Sequence, residues 1–167
     1  LLGVSAKHFS QLHPETELIV DIYPGVPDVD VFTYTDILKR FWEELLSNAW
    51  KYGDRTRIIL TLKILDGNEL EVAVTNFGTV LTRKEQEQMF LPGVRLHQAA
   101  GVGESWGMGL SDLKNDINAI GSRISVNSSN VSGTTIAFTV PVNATVNIMP
   151  FVAYRTLKSR LIVISGL

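Results

Sequence analysis

The chain has 167 residues, a length that suits one domain, and its 45% apolar content supplies a full core. A net charge of −2 provides no basic stripe of the kind that nucleic acid or an anionic membrane selects, so neither is expected as a partner. The absence of cysteine excludes disulfides, thiolate zinc sites and cysteine nucleophiles. No apolar run approaches the roughly 18 residues of a membrane span, and Leu1 to Phe9 lack the features of a signal peptide. The expectation is a cytosolic domain without direct membrane contact. It would be cut from a longer chain, since the sequence starts without Met.

In chain order, Leu18-Ile-Val-Asp-Ile-Tyr23 is a β-rich run stopped by Pro24, Gly25 and Pro27. From Thr35 to Tyr52 the pattern turns helical: Ile37, Leu38, Phe41, Leu45, Leu46, Ala49 and Trp50 recur at three- and four-residue steps. Thr33 or Thr35 caps its start and Gly53 stops its end. Ile58 to Leu65 and Leu70 to Thr75 read as strands joined by the hairpin signal Asp66-Gly67-Asn68. Arg83 to Met89 suits a short helix. Gly93 to Gly109 reads as a long glycine-rich loop. Leu110 to Ile120 is helical again, ended by Gly121. Arg123 to Asn127 and Thr134 to Val140 form a second strand pair around the polar Ser128–Gly133 turn, with Pro141 ending the second strand. This order predicts an α/β fold, a two-layer sandwich with a mixed, mostly antiparallel sheet and helices on one face. Residues 1–13 read as the end of a preceding helix or linker, 14–142 as the main domain and 143–167 as a tail. Leu161-Ile-Val-Ile164 is either an added strand or the first strand of a following domain.

Three segments carry chemistry. In Glu44-Leu-Leu-Ser-Asn48-Ala-Trp-Lys51-Tyr52 the acid and the amide are four residues apart, on one helix face. An asparagine oxygen is a hard ligand of the kind Mg²⁺ takes alongside waters and phosphates. The glutamate would orient or deprotonate a nucleophile, and Lys51 would meet phosphate as a point charge. In Val72-Ala-Val-Thr-Asn76-Phe-Gly78 a polar residue leaves a strand just before a glycine, which permits close approach to a planar ligand. In Gly101-Val-Gly103-Glu-Ser-Trp-Gly107-Met-Gly109-Leu110 glycines open a helix, where freed backbone N–H groups favour an anion. Each segment also has a plain reading: a wet helix face, a strand-end turn, a linker.

In this order and spacing the three segments resemble the ATP-binding domain shared by histidine kinases, gyrase-type topoisomerases, Hsp90 chaperones and MutL proteins, with its Bergerat-type fold. The histidine kinases look closest. Glu44 to Tyr52 resembles the N-box, Asn76 and Gly78 the first glycine box, Phe90 to Arg95 the phenylalanine box, and Gly107-Met-Gly109-Leu110 the second glycine box. Gly133-Thr134 with Ile136 to Pro141 resembles the closing strand. The resemblance implies that Asn48 ligates Mg²⁺ bridging the phosphates of ATP and that Lys51 and Tyr52 line the nucleotide pocket. It puts Asn76 and Gly78 at the base and Thr134 beneath it. Gly107, Gly109 and Leu110 would cradle phosphates, under a lid between Gly93 and Trp106 from which Arg95 or His97 reaches the γ-phosphate.

The sequence departs from that pattern at several points. Asn76 stands where the family usually has an aspartate, Val80 at the usual second glycine, and Gly93 at the second aromatic of the phenylalanine box. Glu44 stands where many histidine kinases have asparagine. His8 and His13 sit in no recognisable acceptor motif. The resemblance therefore implies the catalytic part of a two-component sensor histidine kinase. Its phosphoacceptor would lie on a dimerisation domain outside this chain, in a full-length homodimer, with a response regulator served indirectly. The cytosolic part of a membrane-anchored sensor fits the same description. Two alternatives stay open: an ATPase or protein serine kinase of the same superfamily with Glu44 as base, and a degenerate, non-catalytic nucleotide-sensing module.

Overall fold

A computed structural model of the chain describes residues 2–26, 30–31, 35–65, 69–94, 109–143 and 161–164. The elements are α1 (Leu2–Leu12), β1 (Glu17–Ile22), β2 (Asp30–Val31), α2 (Thr35–Tyr52), β3 (Gly53–Leu65), β4 (Glu69–Gly78), α3 (Arg83–Gln88), α4 (Gly109–Ala119), β5 (Ile124–Ser129), β6 (Gly133–Asn143) and β7 (Leu161–Ile164). The sheet runs β2-β6-β4-β3-β1-β7, with β5 also paired to β6. Among the described strands only β1 and β3 are parallel, and α2 lies in the crossover that a parallel pair requires. The other pairings are antiparallel, so the sheet is mixed and mostly antiparallel, as expected.

Alternation along the central strands decides which face is packed. Ile58, Leu60 and Leu62 of β3, Val72 and Val74 of β4, and Ile136, Phe138 and Val140 of β6 are buried in one cluster with Phe41, Trp42, Leu45, Leu46 and Ala49 of α2. Leu113 and Ile117 of α4 join the same cluster. Phe41 meets Phe138 edge-on at 5.5 Å, which ties α2 to the sheet. From Phe41 to Ala49, the three- and four-residue spacing that marked α2 in the sequence is thus the stripe it buries.

α1 is a full helix folded back on the domain, with Ala6, Phe9 and Ser10 buried and His8 exposed. His13 stacks between Phe9 at 4.8 Å and Trp50 at 4.2 Å, and the Arg55 guanidinium lies 4.2 Å over the other ring, Trp50. Trp50 Nε1 donates to Glu15 Oε1 at 3.2 Å.

Several boundaries differ from the sequence expectation. β3 begins at Gly53 rather than Ile58, through an irregular stretch between Gly53 and Ile58. There Arg55 takes φ 63°, and Asp54 Oδ1 accepts from the Thr56 amide at 2.9 Å and its hydroxyl at 2.7 Å. Burial works to raise the Asp54 carboxyl, but these hydrogen bonds outweigh it and hold the group below its usual value. Pro141 does not end β6, which runs on to Asn143. β5 pairs with β6 only as far as Phe138, and the described residues of β2 pair with Val142 and Asn143, so among the described residues that edge of Pro141 has no ladder partner. β7 pairs antiparallel with β1, so Leu161–Ile164 extends this sheet. The Asp66-Gly67-Asn68 turn and the Thr33 cap lie outside the described residues, although Leu65 pairs with Glu69 as a hairpin requires.

Candidate functional site

The site gathers at one end of α2. Glu44 and Asn48 sit one turn apart at the margin of the buried face, and Asn48 is only 8% exposed. Asn48 Nδ2 donates to Glu44 Oε1 at 3.0 Å. A carboxylate only accepts hydrogen bonds, so it fixes which end of the amide faces it. The Asn48 Oδ1 atom is left as the outward acceptor. The same carboxylate rests against Gly109, the first residue of α4, where any Cβ would land on it. A negative charge is favoured at a helix N-terminus, so Glu44 joins the amide of α2 to the start of α4. That contact requires glycine at position 109 for space rather than for backbone conformation.

Asn76 reaches the site from the end of β4. It pairs in register with Thr134 of β6, and both point to the helix-bearing face. Asn76 is 7% exposed, and its side-chain amide has no hydrogen-bond partner among the described residues. Gly53, directly after α2, packs beside it: a Cβ there would lie 2.5 Å from the Ala49 carbonyl and 3.2 Å from Asn76 Cβ. Gly133, at φ 75°, passes so close that a Cβ would strike the Asn76 carbonyl. Gly78 serves the neighbouring strand: a Cβ at its φ of 150° would meet Gly53 and Asp54 backbone at 3.0 Å.

Thr134 is engaged elsewhere. Its hydroxyl is 2.6 Å from Ser128 Oγ and donates to the Thr79 carbonyl at 3.5 Å, while Ser128 Oγ accepts from the Leu81 amide at 2.9 Å. This relay pins the segment after β4 onto β5 and β6. Sequence reading missed Ser128, because nothing in a serine-rich turn shows which hydroxyl faces Thr134.

Lys51 is half-buried and Tyr52 exposed at the end of α2, and Leu110 is half-buried beside Gly109. Phe90 is buried, with Lys114 Nζ 5.4 Å over its ring, so the segment after α3 is anchored to α4. Thr82 caps α3 in a reciprocal box with Glu85. Arg95, His97 and Gly107, with most of the expected lid, lie outside the described residues.

No group of three or more metal-ligating side chains occurs among the described residues. An outward amide oxygen with no carboxylate cage suits Mg²⁺, which is usually held by few protein ligands plus substrate phosphates, better than a cation needing an all-protein cage.

Known proteins resemble this chain in sequence and in fold. Residues 33–144 match the family described as "Histidine kinase-, DNA gyrase B-, and HSP90-like ATPase". The adaptive-response sensory kinase SasA of Parasynechococcus marenigrum (strain WH8102) is 33% identical over 148 residues, covering 85% of this chain and 38% of that protein. The SasA protein of Synechococcus sp. (strain CC9902) is 32% identical with the same coverage. Among solved structures, the mycobacterial sensor histidine kinase MprB superposes with a TM-score of 0.69 at 21% identity, over 84% of this chain and 93% of that one. Full-length ShkA in complex with AMPPNP superposes at 0.71 and 19% identity, over 84% of this chain and 29% of that one. These structural likenesses concern the fold. The chain belongs to the histidine kinase-, gyrase B- and HSP90-like ATPase family. It spans 38% of the length of the SasA relatives, which are sensory kinases.

Proposed function

We propose that this chain is the catalytic ATP-binding domain of a two-component sensor histidine kinase, passing the γ-phosphate of ATP to a histidine on a dimerisation domain. The observation that carries this reading is the Glu44–Asn48 pair, which leaves Asn48 Oδ1 as the outward acceptor beside the start of α4. Asn48 would hold Mg²⁺ through that oxygen, and the ion when bound would neutralise charge on the phosphates. Backbone N–H groups at the start of α4, near Gly109 and Leu110, would orient the phosphates, and the family resemblance gives Gly107 and Arg95, outside the described residues, the same role. Lys51 adds a point charge, Tyr52 borders the pocket, and Phe90 anchors its far wall. Asn76 meets the base edge, with Gly78 and the Thr134 relay holding the strand ends that present it. Glu44 keeps the amide in its metal-facing orientation and stands ready as a base toward a hydroxyl or water.

The full-length protein would be a cytosolic homodimer, or the cytosolic part of a membrane-anchored sensor, passing phosphate on to a response regulator. No helix among the described residues is long and apolar enough to cross a membrane.

The test mixes the domain with Mg²⁺, γ-labelled ATP and a dimerisation domain from a SasA-type kinase. Label appearing on that domain as acid-labile, base-stable phosphate is the expected result. Phosphate release to water that ignores the acceptor and disappears in Glu44→Gln contradicts the kinase reading and marks an ATPase.

A further inference from the structure

We propose that Asn76 makes the nucleotide site tolerant at the six-position of the base, so that it takes 6-oxopurine nucleotides of the inosine type as well as 6-aminopurine ones. The inference rests on the preceding reading that Asn76 meets the base, and goes beyond it in naming what the base contact selects.

The argument begins with the amide itself. A carboxamide carries an acceptor oxygen and a two-proton donor side by side. A 6-aminopurine edge offers a donor at the six-position and an acceptor at N1. A 6-oxopurine edge offers the reverse, an acceptor at the six-position and a donor at N1. A carboxamide is complementary to either edge, provided it is free to turn over. A carboxylate only accepts, so at the six-position itself it bonds a 6-amino group but opposes a 6-oxo group.

Asn48 shows what prevents turning. Its Nδ2 is tied at 3.0 Å to Glu44 Oε1, and reversing it would place two acceptors face to face. Asn76 has no such neighbour among the described residues. Its side-chain amide has no partner among the described residues although the residue is 93% buried, its relative exposure being 7%. The polar groups nearest along the strands are committed elsewhere. Thr134 is taken by Ser128 and Thr79, and Thr75 Oγ1 lies 2.8 Å from Thr135 Oγ1 across the ladder. The amide atoms of Asn76 are not among the buried side-chain atoms left without a partner, so solvent reaches them and a ligand replaces that water. With no group among the described residues setting the flip, the ligand sets it. The backbone on either side is fixed, because Gly53 and Gly133 pack against Asn76 with no room for a Cβ. The freedom is confined to the amide.

The test uses ADP and IDP, each with Mg²⁺, titrated calorimetrically into the wild type, Asn76→Asp and Asn76→Ala. The two ligands differ only at the six-position and N1, and diphosphates avoid turnover. The wild type is expected to bind the two within about tenfold of each other. Asn76→Asp is expected to prefer ADP by roughly a hundredfold, since at the six-position its carboxylate accepts from the amino group of ADP but opposes the oxo group of IDP. Asn76→Ala is expected to weaken both and leave their ratio near the wild-type value. Its neutral side chain keeps the test open if the buried carboxylate prevents folding.

A wild-type preference for ADP of a hundredfold or more overturns the proposal while leaving the nucleotide site intact. An unchanged ratio in Asn76→Asp also overturns it, since the base would then be read elsewhere. Failure of the wild type to bind either nucleotide overturns the nucleotide-site reading and this proposal with it.

Discussion

Asn48 on α2 and Asn76 at the end of β4 bring the same side chain into one site, 8% and 7% exposed, yet among the described residues only Asn48 has its amide held. The difference lies in the neighbours. On a helix, a residue four positions earlier shares the face, so Glu44 can be placed to grip Asn48. At a strand end the flanking residues point to the opposite face, and the cross-strand partner Thr134 has already given its hydroxyl away. A held amide presents one defined atom, as a metal requires. An unheld amide presents whichever end its ligand requests. The same chemical group thus serves two kinds of recognition, set by one hydrogen bond.

The largest expected effect removes the ground under both residues. Phe138→Ala deletes the ring that meets Phe41 below the site, and should cost about 3–5 kcal/mol of stability by denaturant unfolding. Nucleotide binding should weaken for every ligand alike. A variant that keeps full stability would show that the α2–sheet contact is not what supports the site.

Gly109→Ala separates the two residues. The added methyl lands on the Glu44 carboxylate and should drive it from Asn48, lowering Mg-nucleotide affinity by roughly ten- to a hundredfold. Alanine is otherwise the better helix former, so unfolding should show no matching loss of stability. The ADP-to-IDP ratio should stay unchanged. A shift in that ratio would mean the two amides are coupled.

Glu44→Gln acts on the same bond more gently. A glutamine offers a donor as well as an acceptor, so it no longer dictates which end of Asn48 faces it. The affinity gained on adding Mg²⁺ should fall by roughly fivefold. In the nucleotide-free protein, the Asn48 side-chain NH₂ resonances should move from their wild-type positions. Resonances and Mg²⁺ increment identical to wild type would show that Glu44 does not orient the amide.

Thr82→Ala is the smallest and serves as a control. Loss of the α3 capping box should cost about 1 kcal/mol and leave every affinity where it was.

How much of this was legible in the sequence depends on the range of the interaction. α2 and the Glu44–Asn48 pair follow from spacing within one helix, and both are present. The β3–β4 and β5–β6 pairings follow from alternation and turn residues. Pro141 misled, because whether a proline ends a strand depends on the neighbour at its N–H edge, and among the described residues β5 and β2 leave that edge open. The two-residue β2 is too short to carry a pattern. The contact between Glu44 and Gly109, the Ser128–Thr134 relay and the Phe9–His13–Trp50 stack join segments distant in the chain, and no local rule fixes such register. The glycine at position 109 read as one of several in a phosphate-type loop. Its steric reason, a carboxylate against its Cα, emerges only in three dimensions.

The account stands on Asn48 presenting an oxygen to metal-bound nucleotide. Calorimetric titration of Mg-ATP into Asn48→Ala and Asn48→Asp tests it most directly, with circular dichroism to confirm that both remain folded. The account predicts that binding is lost in both variants while the fold is kept, because the buried stripe of α2 is untouched. Undiminished Mg-ATP affinity in both would contradict it.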